Sequence, residues 1–296
     1  MEDGGIAEDD GFSAHDLFNH RANGPTSYEY DDVVFLPPPL SSSAAAVVSL
    51  ATAVSRNVPI SLPFVVVGRS TELIRSLKSL RRPENPARRM VAAAIGTEEE
   101  AAENRLEELV EAGADVVILD GGDTRRQIEM INYVKRKYPD LDVVAGGDVV
   151  TANQARILIA AGADGLRVGA RRCQASAVYK VAAVAAQSGI PVMADGVDIS
   201  KPGHVAKALL LGASSVLIKS RATGGADHEA DYQVLENQEE LMLGAMEVVK
   251  RSLRWLGASS LQSAHQRLHS QDLRLELVTL DTQRKEELMR LKASAF

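Results

Sequence analysis

A strand–helix unit that recurs roughly every 25 residues is the feature that most constrains this fold. Short apolar segments alternate with amphipathic helical segments over residues 91–218. Three of the helical segments end alike, at residues 112–115 (Ala-Gly-Ala-Asp), 161–164 (Ala-Gly-Ala-Asp) and 211–214 (Leu-Gly-Ala-Ser). Strands that alternate with helices at this spacing pair in parallel, and they are apolar throughout because helices bury both of their faces.

This repeat predicts an α/β fold, and a chain of 296 residues suits a single (βα)8 barrel of the TIM type. An open doubly wound sheet also fits the alternation, but no Gly-x-Gly-x-x-Gly motif follows a predicted strand, which disfavours a dinucleotide-binding sheet. Residues 68–89 offer one helix and a loop, without an apolar run long enough for a strand. We therefore expect an incomplete barrel of about seven strands, in which the strands on either side of this span pair directly or keep unpaired edges.

The chain divides into three predicted regions. Residues 1–26 are polar and rich in Gly and Asp, so we expect a disordered leader. Residues 27–275 form the predicted barrel domain, with one continuous strand expected over residues 58–67. Residues 276–296 are charged and are predicted to form a solvated tail.

Composition argues against several classes of partner. The net charge is −7 and the charges of both signs are interspersed, which speaks against a nucleic-acid surface. Charged residues interrupt every apolar run well before about 18 residues, so no membrane span is expected. A single cysteine excludes an intrachain disulfide, and the acidic N-terminus lacks the features of a signal peptide, so we expect a cytoplasmic protein.

Polar residues and glycines follow the predicted strands, at the end of a βα barrel where functional residues collect. Glycine lets a backbone approach a ligand closely, and the N–H groups at a helix start can hold a phosphate. Asp195 could accept hydrogen bonds from ribose hydroxyls. The alternative, that βα turns need glycine for their own geometry, stays open. The residues at these positions are Gly96, Thr97, Asp120, Gly121, Gly122, Asp123, Gly146, Gly147, Asp148, Gly169, Asp195, Gly196, Lys219 and Ser220.

Two other candidates for chemistry are weak. Cys173 follows Arg171 and Arg172, which would lower the pKa of its thiol, but the local segment offers no histidine as a base. His265 and His269 stand four residues apart on a predicted helix, without a third ligand at motif spacing. We predict neither a catalytic cysteine nor a metal site, and we expect the two histidines to lie on a solvated helix face.

Seven segments, taken in order, resemble the IMP dehydrogenase / GMP reductase family. They are residues 27–33 (Ser-Tyr-Glu-Tyr-Asp-Asp-Val), 92–97 (Ala-Ala-Ala-Ile-Gly-Thr), 112–120 (Ala-Gly-Ala-Asp-Val-Val-Ile-Leu-Asp), 165–169 (Gly-Leu-Arg-Val-Gly), 174–181 (Gln-Ala-Ser-Ala-Val-Tyr-Lys-Val), 191–196 (Pro-Val-Met-Ala-Asp-Gly) and 257–265 (Gly-Ala-Ser-Ser-Leu-Gln-Ser-Ala-His). The resemblance implies a TIM-type barrel and the NAD-dependent oxidation of IMP to XMP, a step of guanine nucleotide biosynthesis.

The resemblance also implies site residues. Asp120, Arg167 and Gly169 stand at positions that the family uses for NAD. Asp195, Gly196 and Ser220 stand where the family binds the ribose and phosphate of IMP.

The departures from the family pattern concern catalysis. The family's catalytic loop carries Gly-Ser-Gly-Ser-Ile-Cys-x-Thr, whereas here only residues 170–174 follow Gly169 before the next helix begins, so Cys173 does not align with the nucleophile. The Arg-Tyr pair of the family's flap is missing between Tyr232 and Met246. Residues 68–89 are too few to hold the family's inserted CBS pair, Lys219 replaces a phosphate-binding glycine, and we expect the family's potassium site to be lost.

Three hypotheses follow from the sequence. The chain is a pseudoenzyme that assembles with itself or with active family members, or it is an active IMP dehydrogenase, or it binds IMP or a related purine nucleotide weakly without turnover. The missing thiol speaks against the second hypothesis, because positioning alone does not replace covalent catalysis. We therefore expect a family member without catalytic activity.

Overall fold

The computed structural model describes residues 11–19, 27–37, 47–68, 71, 74–75, 91–97, 102–121, 123–147, 151–169, 174–218 and 228–278, with the backbone alone for residues 228–239. The strands of this part are β1 (Phe12–Ser13), β2 (Val33–Phe35), β3 (Thr52–Ser55), β4 (Val58–Ile60), β5 (Phe64–Gly68), β6 (Ala92–Gly96), β7 (Val116–Asp120), β8 (Asp142–Gly147), β9 (Gly165–Val168), β10 (Val192–Ala194), β11 (Ser215–Ile218) and β12 (Arg274–Leu277). The α-helices are α1 (Ala14–Asn19), α2 (Ala102–Glu111), α3 (Thr124–Lys137), α4 (Ala152–Ala160), α5 (Gln174–Ala186), α6 (Pro202–Leu210), α7 (His228–Trp255) and α8 (Leu261–His269). A 3-10 turn spans Tyr30–Asp32.

Strands β5 to β11 form a closed parallel barrel, which confirms the predicted incomplete barrel and excludes an open doubly wound sheet. Each strand pairs with the next in sequence, and β11 pairs with β5 to close the ring. The span 68–89 is bridged by direct pairing of β5 with β6, through Val67 with Ala92 and Gly68 with Ala93. Most of that span lies outside the described residues, but Ile74 and Arg75, within the predicted helix, are helical, and Ile74 is buried.

The predicted continuous strand over residues 58–67 is wrong. The structure divides it into β4 and β5, separated by residues 61–63. Strand β4 pairs antiparallel with β3, whereas β5 joins the barrel wall, and the Pro63 carbonyl accepts a hydrogen bond from the N–H of Val216. An apolar run by itself does not reveal such a break, although Pro59, Ser61 and Leu62 are exposed in the structure.

Alternate residues of the barrel strands point into the barrel, as a two-residue period requires. The inward side chains form an apolar cluster of their own, and the hairpin of β3 and β4 adds two residues to it from the amino end of the strands. The cluster consists of Val54, Ile60, Val65, Ala92, Val116, Ile118, Val144, Met193 and Leu217. The outward side chains pack against the helices in the larger cluster.

The Gly-Ala-Asp repeat has a structural role at the amino ends of the strands. The N–H of Asp115 donates to the Val91 carbonyl, and its carboxylate accepts from the N–H of Val91 at 3.0 Å. Asp164 makes the same pair of bonds with Val143. The repeat therefore fixes each helix end to the neighbouring strand and belongs to the scaffold rather than to the functional end.

The predicted disordered leader is wrong for Phe12–Asn19. Strand β1 pairs with β12, and β12 also pairs with β2. Strand β12 spans Arg274–Leu277, so the predicted boundary between the barrel domain and the tail, at residue 276, falls within a strand. Phe18 is buried and stacks on Tyr179 of α5, with 4.8 Å between the ring centroids. Residues 1–10, 20–26 and 279–296 lie outside the described residues. No described helix is long and apolar enough to cross a membrane.

Candidate functional site

The described site residues meet at the carboxyl end of the barrel. Asp120 ends β7, Gly147 ends β8, Arg167 lies near the end of β9, and Asp195 follows β10. Their strands are consecutive in the barrel. The predicted grouping of Asp120, Gly169 and Asp195 at one end of the barrel is therefore what the structure shows, and Arg167 joins them there.

Arg167 connects the two carboxylates of this site. Its Nη2 lies 2.6 Å from Oδ1 of Asp120, and its Nε lies 3.3 Å from Oδ2 of Asp195. The arginine is only 5% exposed, and the Asp195 side chain only 3%. Asp120 is the more accessible carboxylate, with 24% of its side chain exposed. The charges are thus paired in a largely dry environment, where an ion pair is screened little by solvent.

Two glycines permit this arrangement. The Arg167 side chain must cross β8 to reach β7, and a Cβ on Gly147 would lie 3.2 Å from Nη2 of Arg167. Gly169 lies against Asp195, since a Cβ there would be 3.1 Å from Oδ2 of that residue. The N–H of Gly169 donates to the Gly147 carbonyl at 2.5 Å. The glycines therefore give room to protein side chains at this end of the barrel.

Gln127 is a site residue that the sequence analysis missed. Its Oε1 accepts from the N–H of Gly146 at 2.7 Å, and its Nε2 donates to the carbonyls of Gly121 and Gly146 at 3.1 and 3.2 Å. Thr97 adds a bond from Oγ1 to the same Gly121 carbonyl. Gln127 thereby joins the turns that follow β7 and β8. A polar residue on the apolar face of α3, three residues before Met130, is the signal that could have revealed it.

The predicted phosphate region is described only in part. Gly196 has a φ of +74°, which favours glycine, and its carbonyl accepts from Nε2 of Gln174 at 3.1 Å. Strands β10 and β11 pair in parallel as expected, through Met193 with Ser215 and Ala194 with Val216. Ser220, like Lys219, Cys173 and Asp148, lies outside the described residues.

A second charged cluster lies where α6 begins after β10. His204 contacts Asp31 of the 3-10 turn at 2.7 Å, and Nζ of Lys207 donates to the Tyr30 carbonyl at 2.7 Å. Partial burial raises the pKa of Asp31, but the hydrogen bond with His204 and the nearby lysine charges outweigh it, so the pKa lies below its ordinary value. Burial raises the pKa of the Tyr30 hydroxyl. These contacts tie the N-terminal segment to the barrel.

His265 does not lie on the predicted solvated face. Its Nε2 donates to the Leu209 carbonyl at 2.7 Å, and burial lowers the pKa of its ring. Within the ranges that the structure describes, no group of three or more His, Cys, Asp or Glu residues could hold a metal ion.

Most of the barrel matches the model of a known protein family. The model of the IMP dehydrogenase / GMP reductase domain matches residues 66–246, which include β6 to β11 and all four of the residues that meet at the barrel's carboxyl end.

The chain belongs to the IMP dehydrogenase / GMP reductase family.

Plant enzymes are among the curated relatives that the chain matches. Inosine-5'-monophosphate dehydrogenases 2 and 1 of Arabidopsis thaliana are 42% and 43% identical, in matches that cover 64% of this chain and 49% of each enzyme. The enzyme of Vigna unguiculata is 37% identical, over 73% of this chain and 55% of its own length. The chain thus spans about half the length of the curated relatives it matches.

Proposed function

We propose that this chain is an IMP dehydrogenase-like barrel that binds a purine ribonucleotide weakly and does not oxidise it. The observation that carries the proposal is the short connection of residues 169–173 between β9 and α5, whose first residue is bonded to β8. The family reaction needs a thiolate on a longer loop at this place. A nucleophile contributes only when it can reach the reacting atom, so the short connection removes covalent catalysis.

The three residues that the family resemblance assigns to NAD fit a cofactor poorly. Asp120 has a partly exposed carboxylate that could accept a hydrogen bond. Arg167 is buried between two carboxylates, and the N–H of Gly169 donates to the Gly147 carbonyl. All three residues are thus engaged with the protein itself, since Asp120 is paired with Arg167, which supports the absence of hydride transfer.

Asp195 and Gly196 support residual binding of a ribose. A carboxylate accepts hydrogen bonds from a cis-diol, and Gly196 leaves its backbone open for close approach. The burial of Asp195 limits its access to a ligand. We therefore expect a Kd for IMP on the order of 1 mM or weaker, which is about 4 kcal/mol of binding.

A spectrophotometric assay tests the lack of turnover. The purified chain, supplied with IMP and NAD, should form no NADH above the rate without enzyme, while the Arabidopsis enzyme serves as the positive control. Robust turnover that Cys173→Ala abolishes would overturn the proposal, because it would make this cysteine the nucleophile.

Calorimetric titration with IMP tests the binding. The expected result is weak binding that Asp195→Ala removes, with both proteins folded by circular dichroism. Micromolar binding that Asp195→Ala leaves intact would place the ligand elsewhere and contradict this site.

A further inference from the structure

We propose that helix α7 is a dimerisation helix, whose outer seam packs antiparallel against the same seam of a second copy of this chain. The seam consists of Leu241, Gly244, Val248, Arg251 and Trp255. It lies on the outside of the barrel, so the inference does not depend on nucleotide binding at the carboxyl end.

The spacing of the seam is the first support. Its residues recur at alternating intervals of three and four, which is the pattern of a helix that packs along another helix. The face of α7 that packs on the barrel is a different one, since Ala245, Val249 and Leu253 recur every four residues and are each 0% exposed. The seam therefore lies on a side of α7 that the barrel leaves largely uncovered.

The exposed side chains at the two ends of the seam are the second support. Leu241 is 41% exposed and Trp255 is 50% exposed. Helix α6 packs along α7, but its 9 residues span only about 14 Å. Leu241 and Trp255 lie about 21 Å apart along the helix axis, so α6 is too short to cover both of them. Large exposed apolar and aromatic side chains are typical of protein interfaces.

Gly244, near the middle of the seam, is the third support. Glycine is a poor residue for a helix interior. A Cβ at this position would meet no heavy atom within 4 Å in the described part of the chain, so no contact there requires glycine. The close approach of a second helix does require it, because a residue without a side chain lets two helix backbones pack closely.

The charges of α7 specify the partner and the direction of packing. Residues 229–247 hold six Asp or Glu residues and no Lys or Arg, whereas Lys250, Arg251 and Arg254 follow within residues 250–254. An antiparallel pair brings the acidic part of each helix beside the basic part of the other, whereas a parallel pair brings like charges together. The helix dipole does not explain this order, because it acts within the first turn and Glu247 lies far from it.

A twofold axis near Val248 produces the antiparallel pair, and each contact then occurs twice. Trp255 of one copy lies beside Leu241 of the other. Glu240 of one copy lies beside Arg254 of the other, and both of these charged residues are exposed in the single chain.

Sedimentation velocity of the full chain tests the dimer. The seam belongs to the class of small interfaces below about 1,200 Å², so we expect a reversible dimer with a Kd of about 1–100 µM. Raising the salt from about 50 to about 500 mM should weaken the dimer, because salt screens exposed charges. A chain that is still monomeric at about 500 µM would overturn the proposal.

Trp255 is the only tryptophan of the chain, so its fluorescence reports on the seam directly. Burial of a half-exposed indole moves its emission to shorter wavelength. We expect this shift to follow the same dependence on protein concentration as the sedimentation. Association without the shift would place the interface elsewhere and contradict the proposal.

An exchange of charges tests the antiparallel arrangement. Glu240→Lys and Arg254→Glu each bring like charges together and should weaken the dimer at least about tenfold. The variant with both substitutions restores opposite charges at both contacts and should dimerise like the unaltered chain. A double variant as weak as the single ones would refute the arrangement. The matched control is Glu129→Lys, the same change at an exposed position of α3, which should leave the Kd unchanged.

Gly244→Gln separates dimerisation from the folding of α7. Glutamine is a better helix former than glycine, and its Cβ has room in the single chain, so the melting temperature at a concentration where the chain is monomeric should stay the same or rise. The new side chain blocks the approach of a second helix, so the dimer should be lost. A dimer that persists with an unchanged Kd would show that the seam is not the interface.

Discussion

One buried carboxylate makes three of the hydrogen bonds that join the β3–β4 hairpin to the amino end of the barrel, so Asp142 is a sharp test of the fold. Asp142, at the start of β8, is 2% exposed. One oxygen accepts from Oγ of Ser55 at 2.6 Å and from the N–H of Asn57 at 3.0 Å, and the other accepts from Nδ2 of Asn57 at 2.9 Å. Asp142→Ala removes all three bonds while the hairpin remains in the chain.

The loss of stability in Asp142→Ala depends on which of the hydrogen-bond donors water can reach once the carboxylate is gone. Asn57 is exposed, so water can replace the carboxylate there. Ser55 is fully buried, and its hydroxyl would lose its partner. An unsatisfied buried donor costs about 1–3 kcal/mol, so together with the weakened bonds of Asn57 we expect Asp142→Ala to lower the free energy of unfolding by about 3 kcal/mol. That is a large share of the roughly 5–15 kcal/mol that stabilises a typical protein.

Urea denaturation followed by far-ultraviolet circular dichroism measures this loss. The slope of the transition should stay constant, so that the midpoint alone moves. The control is Asp140→Ala, two residues away and exposed, which should change the stability by less than about 0.5 kcal/mol. A loss below about 1 kcal/mol for Asp142→Ala would refute the reasoning, because it would mean that the hairpin does not depend on this carboxylate.

Three further predictions concern the scaffold. Burial lowers the pKa of His265, so this histidine binds a proton more readily in the unfolded chain than in the folded one. The free energy of unfolding should therefore be full above about pH 6.5 and fall as the pH drops towards the folded pKa. His265→Gln should reduce this pH dependence, as measured by urea denaturation at several pH values. Ser215 is fully buried and its Oγ finds no hydrogen-bond partner in the part of the chain that the structure describes, so Ser215→Ala should leave the melting temperature unchanged or raise it, and a marked fall would show that the hydroxyl is bonded. Phe18→Ala should lower the free energy of unfolding by about 3 kcal/mol, because the packing against Tyr179 is lost. A change near zero in urea denaturation would show that helix α1 does not pack on the barrel.

The sequence by itself determined the repeating unit and the family. Apolar strands, helix ends at glycine and the alternation of the two are local patterns, since each depends on residues a few positions apart. They placed Asp120, Gly169 and Asp195 at the ends of parallel strands, and hence at one end of the barrel, whereas Arg167 was predicted from the family resemblance. The ordered motifs then predicted the IMP dehydrogenase / GMP reductase family, which the match over residues 66–246 confirmed.

Only the tertiary structure decided which distant segments meet. It pairs β5 directly with β6 across the residues between them, and it joins β1 to β12 from nearly opposite ends of the chain. It also directs Arg167 over Gly147 to Asp120, a contact between residues 47 positions apart. No local period encodes such contacts, because the free energy of a pairing between distant segments depends on how all the intervening elements pack around it.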